Sequence, residues 1–147
     1  MCGGDDSVDP TAQWGCFETP ITGADGTAIG TGELTTTDIT ASVCSTAGIA
    51  ARLANDLVLG GQDDWFLPSK VELNLVCKWA FGDNVNTVCN NNGSGSLPLV
   101  NGEFFTGGYW SSSEAVSGNA WDQNFYNGNQ GFDGKRNTLF VRPVRPF

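Results

Sequence analysis

The chain has 147 residues, 20 of them glycine, and few charged groups; this suits one globular, loop-rich domain and leaves no length for a second core. Sixteen acidic residues against seven basic ones give a net charge of −9, which repels phosphate backbones and anionic lipid and so argues against nucleic acid and membrane surfaces as partners. There is no histidine, which excludes Ser-His-Asp and Cys-His nucleophile systems and any imidazole zinc site, and no apolar run reaches the roughly 18 residues that span a bilayer.

Residues 1–10 are polar and acidic and read as a flexible tail, leaving 11–147 as the folded domain. Short β-type runs at Trp14–Phe17 and Leu34–Val43, separated by turns such as Ala24-Asp25-Gly26-Thr27, predict one or two hairpins. From Ser45 the period changes. Ile49, Leu53 and Leu57, with Ala50 and Ala54 beside them, form a helical stripe that stops at Gly60-Gly61. A second helix follows Pro68. Ser69-Lys70-Val71-Glu72 has the pattern of a capping box, and Val71, Leu75 and Trp79 are expected on the buried face up to Phe81-Gly82. The stretch 83–103, rich in Asn, Gly and Ser, reads as a long loop. Strands are expected at Phe104-Phe105, Tyr109-Trp110, Ala120–Tyr126 and Thr138–Val144. Alternation in the third puts Trp121, Gln123 and Phe125 toward the core and Asp122, Asn124 and Tyr126 toward solvent, with Gln123 needing a buried partner. The order of elements is that of an α+β fold, two helices packed on short antiparallel strands with long loops.

Five cysteines occur without a C-x-x-C pair, which argues against a zinc ribbon or a thioredoxin motif. Cys77 and Cys89 bracket a short polar loop that a disulfide would close, stabilising by about 3 kcal/mol. Cys16 and Cys44 could then pair and leave Cys2 odd; the alternative is that all five are free, buried thiols. The opening Cys2-Gly3-Gly4-Asp5-Asp6 resembles the start of a mature bacterial lipoprotein acylated at Cys2.

Four ordered blocks carry a family resemblance. They are the run from Gly60 through Asp64-Trp65-Phe66-Leu67-Pro68-Ser69-Lys70 to Asn74, then Tyr109-Trp110-Ser111-Ser112-Ser113-Glu114, then Ala120-Trp121, and finally Val141-Arg142-Pro143-Val144-Arg145. Over about 45–145 the chain resembles the C-type-lectin-fold domains at the C-termini of bacterial collagen-like adhesins. It is also similar to the variable proteins of diversity-generating retroelements. The resemblance implies that Trp65 and Trp121 are buried scaffold. Arg142 and Arg145 are expected to pair with carboxylates such as Asp63, Asp64 or Glu114, and the Ser111–Ser113 run to satisfy backbone groups where the chain turns.

The retroelement resemblance also implies a division of the tail. Such elements substitute at template adenines, mostly in AAC codons, and a codon ending in C never encodes Trp, Gln, Glu, Lys or Met. Trp121, Gln123, Gln130 and Lys135 are therefore expected to be fixed, in a variable region near 115–140. The candidate ligand-binding residues are Asp122, Asn124, Tyr126, Asn127, Asn129, Phe132, Asp133, Arg136 and Asn137. This mixture of aromatic anchors among adaptable polar groups is what a paratope uses. Residues 127–137, with glycines at 128, 131 and 134, are expected to form a loop returning beside the strand. Tyr126, Phe132 and Arg136 would anchor one exposed surface. The bland alternative is an Asn/Gly-rich surface loop with no partner.

Sugar-binding C-type lectins usually carry an E-P-N or Q-P-D triplet and a later W-N-D; neither occurs, and Trp121-Asp122-Gln123-Asn124 is only a partial echo. Asp83-Asn84-Val85-Asn86 offers oxygen ligands without a carboxylate cluster, so no metal or other cofactor is expected. The reading is a non-enzymatic recognition protein, a monomer or small homo-oligomer. It would bind a cell-surface protein or glycan and be extracellular, at the cell surface or on a virion. The alternative is a fixed-specificity surface adhesin for glycans.

Overall fold

The computed structural model describes residues 9–44, 46–82, 89 and 101–146. The opening around Cys2, the Asp83–Asn86 stretch and most of the expected 83–103 loop lie outside them. Eight elements follow in order: β1 (Thr11–Gln13), α1 (Gly32–Ala41), α2 (Ala50–Asn55), α3 (Lys70–Phe81), β2 (Gly108–Val116), β3 (Asn119–Asn124), β4 (Gln130–Gly134) and β5 (Thr138–Phe140). The α+β class holds, with three helices rather than two among the described residues. The five strands form one sheet in the order β1-β5-β2-β3-β4. Its pairs are antiparallel except β2 and β5, which run parallel at Tyr109 and Phe140.

The additional helix is α1, where Leu34–Val43 was expected to be a strand. Its threonines favour strands by propensity, but here their hydroxyls have partners within the helix and beyond it. Thr35 Oγ1 donates to the carbonyls of Thr31 and Gly32. Thr36 Oγ1 donates to Leu67 O and accepts from Leu67 N, tying the helix to a distant segment. Ile39 is fully buried beneath. The first strand also sits earlier than expected. β1 pairs with β5, and the chain then turns through left-handed conformations at Gly15, Cys16 and Glu18, which ends the ladder before Phe17. Asp9 and Pro10 join the fold: Pro10 O accepts from Val141 N, and Asp9 pairs with Arg142.

Helix α3 has the cap that the sequence specifies. Ser69 Oγ accepts from Glu72 N, Glu72 Oε2 accepts from Ser69 N, and Gly82 closes the helix in the left-handed region. Its buried face is another matter. Leu73, Asn74, Cys77, Ala80 and Phe81 face inward, while Leu75 and Trp79 are 44% and 55% exposed. The helix is apolar on two sides. The inward side is chosen by the Cys77–Cys89 disulfide and by Asn74 Oδ1, which accepts from Cys89 N. The second disulfide joins Cys16 to Cys44.

Adjacent residues on a strand point to opposite faces of the sheet. Accordingly Tyr109 belongs to one core, with Leu73, Cys77 and Phe125 under α3. Trp110 belongs to the other, with Trp14, Ile39, Ile49 and Leu67 under α1 and α2. Phe104 and Phe105 are not in a strand; they stack on Phe125 and Phe140 respectively. The three serines of β2 act as a polar hub between segments. Ser111 Oγ donates to Trp121 O, Ser112 Oγ is hydrogen-bonded to Thr35 Oγ1, and Ser113 Oγ donates to Gly26 O while accepting from Lys70 N.

Candidate functional site

The proposed variable region forms the outer end of the sheet. β3 is followed by a tight turn and then by β4, the terminal strand, where a returning loop was expected. Gln130-Gly131-Phe132-Asp133-Gly134 contains few strand formers, and β4 exists through its ladder to β3. The turn between them is built by asparagines. Asn124 Oδ1 accepts from the amides of Tyr126 and Asn127, and Asn127 Oδ1 accepts from Asn129 N. Asn124 and Asn127 therefore shape the backbone. Tyr126 and Asn129 project from it, with Tyr126 49% exposed.

The ladder sorts the remaining candidates onto two faces, because directly opposite residues share one. Trp121 pairs with Phe132 and their rings meet edge to face at 5.7 Å. Phe132 is 60% exposed, and Lys70 Nζ lies 3.3 Å from the centre of the Trp121 ring. The other face carries Asp122, Asp133 and Asn137. Asp122 is half-buried; loss of solvent first, and the nearby Asp133 charge second, push its carboxyl up to about 6. Asp133 Oδ1 accepts from Gly134 N and from Asn137 Nδ2. Arg136 is exposed and its guanidinium lies 3.7 Å above the Phe17 ring. The candidates thus straddle the rim of the sheet. Phe132 stands on one side and Asp122 with Asp133 on the other.

The residues between them are held in place. Gln123 is fully buried, and the partner it requires is the turn itself: its Nε2 donates to Gly128 O and Asn129 O. Gln130 Nε2 bridges Gln123 Oε1 and Lys70 O, joining the hairpin to α3. Lys135 is 0% exposed, and its Nζ lies 3.0 Å from Glu114 Oε1, donates to Thr19 O and sits over the Trp14 ring. Burial lowers its pKa, with Glu114 opposing the shift. Glu114 Oε2 accepts from Ile21 N, so the carboxylate is bonded on both oxygens. Trp121 is half-buried, less than expected.

Two further expectations need amendment. Trp65 is also half-buried: its Nε1 donates to Gln62 O, and Arg145 lies beside its ring. Arg145 does pair with Asp64, through Nε at 2.6 Å and Nη2 at 2.8 Å, and holds that carboxyl below the usual carboxylate range. Arg142 pairs instead with Asp9 at 2.6 Å, since Glu114 is taken by Lys135. Lys70 and Phe17 were missed as parts of this region. Neither has a local signal, because only the fold brings them to Trp121 and Arg136.

Among the described residues no helix is long and apolar enough to cross a membrane. No curated protein and no solved structure matches the chain. The model of the Lcl C-terminal domain matches residues 21–145, which takes in the core under α3, most of the other core, helices α1 to α3 and the β3–β4 rim. The chain belongs to the Lcl C-terminal domain family.

Proposed function

We propose that the chain is a non-enzymatic, adhesin-like recognition domain on a C-type lectin scaffold. Its ligand-binding surface is the β3–β4 rim within about 115–140, diversified by a retroelement. One observation carries this reading. The four residues that a randomised AAC codon cannot encode are held by the scaffold: Gln123 and Lys135 are buried, half-buried Gln130 ties the hairpin to α3, and half-buried Trp121 lies under Lys70. Tyr126, Asn129, Phe132, Arg136 and Asn137, which such codons reach, are exposed. An exposed aromatic and an arginine among small polar groups suit a protein or glycan ligand. Two disulfides fit an extracellular, cell-surface or virion setting.

The gene's flanking DNA tests the reading. A near-identical copy of the 3′ coding end, differing at adenines and lying beside a reverse transcriptase gene, is the expected result. Absence of any such copy in the complete genome overturns diversification. A collagen-like Gly-X-Y run upstream would favour the fixed-specificity glycan adhesin.

A further inference from the structure

Helix α3 turns its second apolar stripe, Leu75, Val76 and Trp79, toward a cavity of about 650 Å³. Phe66, Ile29 and Val144 supply other walls, from the segment before α3, the loop before α1 and the C-terminal segment. This volume is that of a site for a small organic ligand, and large apolar side chains left open to water at one concave place mark such sites.

The charged groups around the cavity decide what it would hold. Three line it: Glu72, Arg145 and Glu33. Glu72 is used up in the fold, since Oε1 accepts from Gly30 N and Oε2 from Ser69 N. The Arg145 guanidinium is neutralised by both oxygens of Asp64 and also donates to Gln62 Oε1. Glu33 is exposed, and its carboxylate has no hydrogen bond or ion pair among the described residues. With Arg145 cancelled, the cavity presents an apolar interior and a net negative rim, on a chain whose own charge is −9.

We propose that this cavity is a second binding site, separate from the β3–β4 rim, for a small ligand with an apolar body and a single cationic head, the head set against Glu33. The site is independent of retroelement diversification, because none of its lining residues falls within 115–140.

The test uses a matched pair of probes, 4-phenylbutylammonium and 4-phenylbutyrate, titrated into the isotopically labelled protein and followed by NMR. The ammonium should move the Leu75, Val76 and Trp79 signals and bind about five- to tenfold more tightly than the carboxylate, a difference of about 1–1.4 kcal/mol. Glu33→Gln, at an exposed position, should erase that preference without altering the melting temperature. Leu75→Ala should weaken both probes alike. Equal affinity for the two probes, no movement of these signals, or a preference that survives Glu33→Gln would overturn the proposal. So would sedimentation showing a dimer that Leu75→Glu dissociates, since a second copy would then occupy the cavity.

Discussion

Lys135 and Arg136 are neighbours in the chain and opposites in the structure. Lys135 sits in the interior between Glu114, Thr19 and the Trp14 ring, cut off from solvent. Arg136 lies at the surface across Phe17. The same contrast separates the inner ladder of β2 and β3 from the turn and outer strand. Inside, each polar group is matched to a fixed partner, so losing one strands the other in a medium that cannot solvate it. Outside, Tyr126, Phe132 and Arg136 are exposed to water. Two regions contiguous in sequence thus obey different rules for substitution.

The largest expected effect probes the inner region. Lys135→Met leaves Glu114 buried without its cation and should cost about 3–5 kcal/mol, read by urea denaturation. A variant as stable as the parent would show that the interior tolerates change as the rim does. Next comes the Cys77–Cys89 bridge. Replacing both cysteines by serine should cost about 3 kcal/mol by the loop-entropy relation. Intact-mass measurement with and without reductant establishes the bridge first; free thiols at both positions would remove it from the comparison.

Asp122 lies on the border between the two regions and sharpens the contrast through pH. Its folded pKa, about 6, is above its unfolded value, so the folded state binds the proton more tightly. Its effect on stability is therefore unfavourable above pH 6 and is relieved as pH falls toward 4. Asp122→Asn should raise stability at pH 7 by about 1 kcal/mol, after allowance for partial exposure, and by much less at pH 4. Melts of the two proteins at both pH values measure this, and an equal gain at both would rule out titration as the cause. The smallest effect belongs to the rim. Alanine at Tyr126, Phe132 and Arg136 together should cost no more than about 0.5 kcal/mol each, while abolishing binding to a protein or glycan ligand captured by the parent. A large loss of stability would assign these side chains to the scaffold.

The caps of α3 and the bond of Gln123 were legible because their signals are local or obligatory, whereas α2 ends at Asn55, short of the expected stop at Gly60-Gly61. Ser69 and Glu72 are three residues apart and need nothing else to form the capping box. Gln123 lay in an apolar alternation, so it had to find a bond, and the turn at Gly128 provides one. What was not legible depends on distant partners. Thr35 and Thr36 are fitted to α1 by distant partners: the Thr35 hydroxyl is hydrogen-bonded to that of Ser112, and the Thr36 hydroxyl donates to Leu67 O. Helix α3 has two apolar stripes, and its sequence does not say which one meets the sheet. For the candidate site, the exposed residues were recognisable by type. Their division between two faces was not, because β4 carries almost no propensity for the strand it becomes.

Position at the end of the sheet gives β4 a freedom that no inner strand has. A central strand must present amides to both neighbours, so a proline there breaks a ladder; at an outer strand, alternate amides face water and proline is tolerated. A codon randomised at both adenines of AAC can yield proline, as CCC. Under the proposed diversification, a proline drawn at Phe132 or Asp133 on β4 would disturb only a few hydrogen bonds with β3. A repertoire so diversified there would sample most of its draws with the inner ladder intact.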